Sequence, residues 1–401
     1  MRSTFKVVLL SIGVLFGIYS VRPAPAQVLQ TAYDFQTVQP HPYVHALGNA
    51  TVAASGYSGA IGVNPATVGT EGTVRIGSNV NLSRGPVYSS PWNVSPLINS
   101  IATPSVTMKR GRWATGVQVK HFDWENREVR NPQGEVIGTT AFQQSIKGVA
   151  ACEVNPMVTV GAGMNLIRSR LPSRFGSGVE LHPTLDLGVQ YQTQVEKDFV
   201  NLRPALGLSM TDFGGNVSYE NRPGDLAAPT TIRGGGALNV TSQSKQFGRP
   251  EWRIGLYGAL SNLLVSGEFV EENGEEYFEA DGPFKALFTG WSSTTGVFRS
   301  RGELAEVSPW ERITKHAGLE MGVLDILSIR LGRFHESDDS GGRQYTALGF
   351  GLDAYYVSLD ASWTLGDEEP FQQYSYGRLS VRIPLSDSPR DFWPALLGNG
   401  E

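Results

Sequence analysis

The feature that most constrains this chain is a two-residue alternation of apolar and polar side chains that recurs along most of its length. In Leu185-Asp186-Leu187-Gly188-Val189-Gln190-Tyr191-Gln192 every odd position is apolar and every even one is polar or Gly. The stretch from Val158 to Leu166 repeats the pattern, Tyr355 to Leu365 carries the longest run, and Leu379, Val381 and Ile383 alternate with Arg378, Ser380 and Arg382. Successive side chains of a strand point to opposite faces, so each stretch reads as a strand with one greasy and one wet face. Several of them approach the roughly 9 to 11 residues that a tilted strand needs to cross a bilayer.

Alternation also suits a soluble β-sandwich, whose strands turn their apolar residues inward. Three features favour a membrane barrel. The strands are long, the polar face holds Gly, Ser, Asn, Gln and charges suited to a wet lumen, and aromatic residues gather near strand ends. Trp113, Phe122, Trp124, Tyr191, Trp252, Tyr257, Tyr355, Trp363 and Tyr376 are candidates for interfacial girdles. The 47 Gly and 23 Pro agree with many short extended segments joined by turns.

The amino terminus points to export. Arg2 and Lys6 precede an apolar run from Val7 to Tyr19, and Ala24-Pro25-Ala26 offers a cleavage site, so residues 1–26 read as a removable signal peptide. The run is shorter than the roughly 20 residues of a membrane helix, and no later stretch is long enough to be one. An exported chain without a spanning helix is periplasmic, secreted, or crosses the membrane as a barrel. The formal net charge is −5, and losing Arg2, Lys6 and Arg22 makes the mature chain three charges more negative, which argues against a nucleic-acid partner. A single Cys, Cys152, excludes an internal disulfide and a Cys-built metal site.

The expected fold is an all-β transmembrane antiparallel barrel of about 14 strands behind an N-terminal plug or cap. About 15 extended stretches can be marked, from Thr73–Leu82 to Tyr376–Leu385. Single-chain bacterial barrels have an even number, so one is in excess. Ser105–Arg110 is the weakest, while Trp252–Gly258 and Asn262–Val270 read as separate strands. Asn131-Pro132-Gln133-Gly134 and Asn155-Pro156 are hairpin turns. The domain reading is signal peptide 1–26, N-terminal segment 27–71, barrel 72–385 and tail 386–401. Two stretches do not read as strands: Pro40 to Gly69, rich in small residues, and the polar Glu271 to Trp310, which reads as a long loop.

The first of these contains Ala46-Leu47-Gly48-Asn49-Ala50-Thr51-Val52-Ala53 and then Asn64-Pro65-Ala66. Together they resemble the amino-terminal signature of the PorV/PorQ group, relatives of the FadL fatty-acid channel. Pro229-Thr230-Thr231-Ile232-Arg233-Gly234 resembles a second piece of that pattern, and Glu320 and Arg330 sit in stretches similar to a third, a hairpin late in the chain. Leu47, Gly48, Asn64, Pro65, Ala66, Pro229, Thr230, Arg233, Gly234, Glu320 and Arg330 are the positions that carry the resemblance. Asn49-Ala50 and Asp212 depart from it. The resemblance implies an outer-membrane location.

The chemistry-bearing residues form no recognised catalytic or metal-binding spacing, so neither an active site nor a cofactor is expected. His41, His45, His121, His182, His316 and His335 are scattered. The acidic run from Glu271 to Asp281 suits a solvated loop better than a calcium site. Asp186, Gln190, Asp360, Arg378 and Arg382 fall on the face expected to line the lumen, where they would either set selectivity or cross-link the wall. Two functions remain open. By its resemblance to PorV, the chain would be an accessory of type IX secretion, with exported cargo and secretion components as partners. By its resemblance to FadL, it would be a channel for a hydrophobic small molecule.

Overall fold

The computed structural model describes residues 31–69, 72–81, 98–124, 142–170, 180–219, 224–272, 274–292, 294–298, 304–337, 340, 342–354, 356–365 and 375–385. The proposed leader, the Asn131 turn, Tyr355 and the tail from 386 lie outside them.

Fourteen strands close one antiparallel barrel. They are β1 (Thr73–Asn81), β2 (Ile98–Arg110), β3 (Trp113–Trp124), β4 (Phe142–Asn155), β5 (Val158–Arg170), β6 (Glu180–Gln192) and β7 (Val200–Phe213). The series continues with β8 (Thr231–Ser242), β9 (Trp252–Leu263), β10 (Ile313–Val323), β11 (Leu327–His335), β12 (Gln344–Ala354), β13 (Val357–Leu365) and β14 (Ser375–Pro384). Each pairs with its sequence neighbours, and β14 returns to β1, with Arg75 opposite Arg382 and Gly77 opposite Ser380. Closure leaves no strand edge, so every ladder group has a partner without help from water, the condition for crossing hydrocarbon.

The strand count corrects the sequence reading at a different place from the one expected. Ser105–Arg110 is the second half of β2, a full strand of 13 residues. The excess lies at Asn262–Val270. Trp252 to Leu263 is one continuous strand, and Gly267–Glu272 pairs with Glu275–Ala280 in a two-stranded sheet outside the barrel wall. Both pieces alternate, and periodicity alone does not reveal which sheet a strand joins. The stretch from Glu271 to Trp310 is accordingly structured. It holds most of that hairpin, a short helix (Pro283–Thr289) and a pair formed by Thr294–Phe298 and Leu304–Val307.

The barrel is inside out relative to a soluble protein. Ile146, Val160, Met164, Leu187, Leu208, Ile329, Leu359 and Val381 are exposed on its outer face, whereas Asn79, Lys147, Asn165, Asp186, Glu320 and Arg378 are buried within. Such an exterior is stable only against lipid. Of the girdle candidates, Trp113, Tyr191, Trp252 and Trp363 stand on the outside, but Phe122, Tyr257 and Tyr376 are buried in the lumen. Their positions share the inward parity of their strands, which overrides aromatic character.

One end of the barrel has tight turns, as between Arg110 and Trp113 or Val323 and Leu327, and the other carries the long connections 214–230 and 264–312. Between β6 and β7 the register slips: Leu187 faces Met210, yet Leu185 faces Phe213. The extra residue is accommodated at Asp212, whose φ of 57° is left-handed, giving a β-bulge there.

Candidate functional site in the occupied lumen

The N-terminal segment lies inside the barrel. Thr31 bridges to Ala227 in the 214–230 connection, and Thr37 accepts from Arg343 beside β12, so the segment begins at the long-connection end. Ser55 donates to Gln192 at the far end of β6, and Gly69 lies against Lys109 and Ala114 near the β2–β3 turn. The chain therefore descends through the lumen before entering β1.

Close approach to the wall explains many glycines of the wet face. A Cβ on Gly332 would lie 2.2 Å from the Gly48 nitrogen, one on Gly207 2.3 Å from the Val52 carbonyl oxygen, and one on Gly161 2.5 Å from the backbone at Ala66. Gly188 faces the Asn64 side chain, Gly318 faces Leu47 and Gly349 faces Ala46. Gly48 itself sits at φ 60° with its α-carbon against the Arg333 backbone. The wall has given up side chains where the segment's backbone must pass.

The resemblance positions fall on these contacts. Asn64 accepts from the Ala66 amide at 3.0 Å, capping the 3₁₀ turn Pro65–Thr67, and donates to the carbonyls of Val52 at 2.8 Å and Val189 at 3.3 Å. Leu47 and Ala66 are buried against the wall. Thr230 donates to the Asp212 carbonyl at 3.2 Å, Arg233 donates to Thr211 at 2.7 Å, and Thr231 donates to the Pro229 carbonyl, so this stretch fastens the bulge. Gly234 faces outward beside Leu208.

Two charged clusters brace the wall. In the half toward the long connections, Lys147 lies 2.7 Å from Asp186 and 3.1 Å from Asp212, Asn165 donates to Asp212 at 3.0 Å, and the Asp212 amide donates to Asp186 at 2.7 Å. In the half toward the tight turns, Arg330 joins Glu320 at 3.0 Å and Asp360 at 2.7 Å, and Arg253 reaches Glu320 at 3.3 Å. Tyr257 and Tyr43 donate to the other Glu320 oxygen at 3.1 and 3.5 Å. Glu320 and Arg330 stand directly opposite on β10 and β11, a pairing ten residues of sequence do not announce.

The remaining lumen candidates are placed as follows. Gln190 donates to the Ala53 carbonyl at 2.8 Å, Arg378 donates to Asn79 at 2.9 Å and Ser105 at 3.1 Å, and Arg382 pairs with Asp353. Lys120 and Lys147 escaped the sequence reading. Their inward parity, opposite to outward Val117 and Ile146, was the available signal.

Among the described residues the segment is tied to the wall by hydrogen bonds and packing, with no ion pair. Lys120 reaches the Val38 carbonyl at 3.1 Å, Ser209 donates to the Val63 carbonyl at 2.7 Å and His316 donates to the Gly48 carbonyl at 2.9 Å. His45 meets Ser362 and Thr364, and His41 meets Ser58. Burial pushes the His45 imidazole well below its usual range, and burial, followed by Arg378, Arg330 and Arg75, does the same to His41. On one side the segment's Val44, Val52, Ile61, Val63 and Val68 cluster with wall residues Ala114, Val149, Ala151, Ala205, Ala237 and Ala259. Nearer the long connections, Tyr33 and Phe35 cluster with Phe122, Ile167 and Tyr376.

Fold and site together define a transmembrane β-barrel of fourteen strands whose lumen is occupied by its own N-terminal segment. No protein-family model and no curated protein matches the chain. Among solved structures it is similar to the toluene transporter TbuX of Ralstonia pickettii, at 12% identity and a TM-score of 0.40 over 85% of this chain and 96% of that one. It is likewise similar to the toluene transporter TodX of Pseudomonas putida (10%, 0.40, 86% and 97%) and to a FadL homologue of Pseudomonas aeruginosa (13%, 0.38, 85% and 98%). The architecture described above rests on the chain's own strand pairing.

Proposed function

We propose that this chain is an outer-membrane channel for a hydrophobic or amphipathic small molecule, exported with residues 1–26 removed and closed at rest by residues 27–71 acting as a plug. One observation carries the reading: among the described residues the plug is held by hydrogen bonds and packing, whereas the ion pairs of the lumen link wall to wall. Between residues 31 and 70 the sequence has one charged side chain, Asp34. Such a stopper can shift without separating buried ion pairs, whose rupture costs about 3–5 kcal/mol each. Its displacement uncovers the Ala and Val positions of β3, β4 and β7–β9, an apolar track beside the charged clusters. Selectivity then falls to Asp186, Gln190, Asp360, Arg378 and Arg382.

The second reading, an accessory of type IX-like secretion, is favoured by the helix Pro283–Thr289 on the long-connection side. Its Phe284 and Phe288 are 71% and 81% exposed, which offers an apolar contact for exported cargo. A deletion strain separates the two. The channel reading expects lower uptake of a hydrophobic compound with normal secretion; retained uptake with cargo accumulating in the periplasm overturns it in favour of secretion.

A further inference from the structure

The bulge at Asp212 shifts the face parity of β7, and the residue it turns outward carries a contact that the lumen does not explain. Before the bulge Leu206 and Leu208 are exposed on the outer face, and beyond it Phe213 stands opposite Leu185, exposed on the outer face of β6. Directly paired residues share a face of the sheet, so Phe213 belongs to the outside of the barrel. The Phe284 ring packs against it edge to face, with centres 5.4 Å apart and planes at 74°. The short helix Pro283–Thr289 is therefore seated at the outer side of the wall.

That helix turns one stripe away from the protein. Phe284 and Phe288, spaced i and i+4, are largely exposed, Trp291 follows just past the last turn, and Ala286 on the opposite side is buried. The stretch is held in this orientation. Buried Arg312 donates to the Ser292 carbonyl at 3.0 Å, Asn262 at the end of β9 donates to the Gly290 carbonyl at 3.0 Å, and Gly290 lies against Leu264. The Trp291 indole donates to the Leu287 carbonyl at 3.0 Å, and Lys285 pairs with Asp281 at 2.6 Å. Neither the indole nor the ammonium loses its partner when the aromatic stripe enters an apolar medium.

The level of the stripe on the barrel decides what covers it. A strand tilted as in such barrels climbs roughly 2.5 Å per residue along the membrane normal. Leu181, exposed on the same face of β6, stands four residues nearer the long connections than Leu185 and thus roughly 10 Å higher. The lipid-facing belt continues above the point where Phe284 meets the wall. The stripe is a sideways extension of that belt.

We propose that Phe284, Phe288 and Trp291 form a membrane foot, embedded among the acyl chains of the leaflet on the long-connection side, which anchors the 264–312 connection to lipid. The phenylalanines supply apolar area, and the tryptophan supplies an amphipathic ring of the kind that settles at a membrane interface. Binding of such an interfacial helix grows with the apolar area it buries. The contact belongs to the outer wall and holds whether or not the lumen conducts. It withdraws both phenylalanines from exported cargo, so a stripe that faces water is the outcome that counts against it.

The test is site-directed spin labelling of the full chain in phospholipid vesicles. Phe288→Cys, in a Cys152→Ser background, carries a nitroxide, and its collisions with oxygen, which concentrates in hydrocarbon, are compared with its collisions with a water-soluble nickel chelate. Leu185→Cys gives the lipid-facing reference and the exposed Glu271→Cys the aqueous one. The oxygen-to-nickel ratio at position 288 is expected to match that at 185 and to exceed that at 271. Adding Phe284→Ser and Trp291→Ser is expected to lower it toward the aqueous value. Trp291→Cys, labelled in the same way, is expected to give the lipid-like ratio and replaces Phe288→Cys if heat-modifiable gel migration shows that variant unfolded. A ratio at 288 equal to that at 271 leaves the stripe in water, open to a soluble partner, and overturns the proposal. An unchanged ratio after the two serine substitutions assigns the insertion to the label and overturns it as well. Few collisions with either reagent would show a protein cover, identified as a second copy by line broadening that vanishes on dilution with unlabelled chain, and would likewise overturn it.

Discussion

The glycine cradle around the N-terminal segment makes the plug reading testable by adding single methyl groups. At Gly332 a Cβ would stand 2.2 Å from the Gly48 nitrogen and 2.6 Å from the Ala46 carbonyl oxygen, where ordinary contact begins at 3.4 Å. The segment or the wall must therefore retreat by at least 1.2 Å, and the wall is fixed by ladder hydrogen bonds on both sides. Overpacking of this kind costs about 1–3 kcal/mol, which lowers occupancy of the closed state roughly 5- to 150-fold. Gly332→Ala is thus expected to raise single-channel conductance or dye efflux from vesicles, and to expose the segment around Gly48 to limited proteolysis. Gly161→Ala strikes a different part of the segment, at Ala66 and Pro65, and the two effects should nearly add. Gly258→Ala, whose Cβ meets open space on the outer face, is the control and should behave as wild type. A Gly332→Ala protein that folds normally yet neither conducts nor becomes cleavable beyond the Gly258→Ala control refutes the plug.

Other predictions concern the wall and the buried imidazoles. Lys147→Met strands the carboxylates of Asp186 and Asp212 beside each other, and should cost about 3–5 kcal/mol in urea unfolding, much of it recovered by adding Asp186→Asn and Asp212→Asn. Leu187→Arg places a charge on the lipid face at mid-height and should destabilise the barrel in vesicles by about 2–4 kcal/mol; no loss would contradict the inside-out assignment. His45 is held neutral inside the lumen, so the released segment binds a proton that the packed one does not. Packing is then at full strength above the ordinary imidazole pKa of about 6.5 and weakens as pH falls below it. Proteolytic release of the segment should increase between pH 7 and 5 in wild type, and less in His45→Gln.

Much of the architecture could be read before any coordinates, because a closed antiparallel barrel imposes the same two-residue period on every strand. The start of β5 at Val158 and the ends of β6 at Gln192 and β13 at Leu365 are legible for that reason, as is the inward parity of Asp186 and Arg378. The hidden parts depend on what lies across a space. Asn262 to Val270 alternates like a wall strand, yet Val265 and Ser266 turn the chain out of the barrel, and only its partner at Glu275–Ala280 identifies the new sheet. Phe122, Tyr257 and Tyr376 resemble girdle residues by type, but their job is to fill the lumen around Tyr33, Phe35 and Tyr43. The glycines at 161, 188, 207 and 332 read in sequence as blanks on the wet face. Their meaning is set by a segment more than 90 residues distant.

The descent of that segment through the lumen also fixes an order of assembly. Thr31 lies beside Ala227 among the long connections, whereas Gly69 and the start of β1 lie at the opposite mouth. A chain tethered at the bottom and running to the top is awkward to feed into a finished cylinder whose wall already meets its backbone at Gly161, Gly207 and Gly332. Wrapping the strands around the segment as they add avoids that threading, and the β1–β14 pairing closes the wall around it. The segment then works as a mandrel: its bulk sets how far the growing sheet can curl, and a mistake in its placement becomes a barrel that cannot shut.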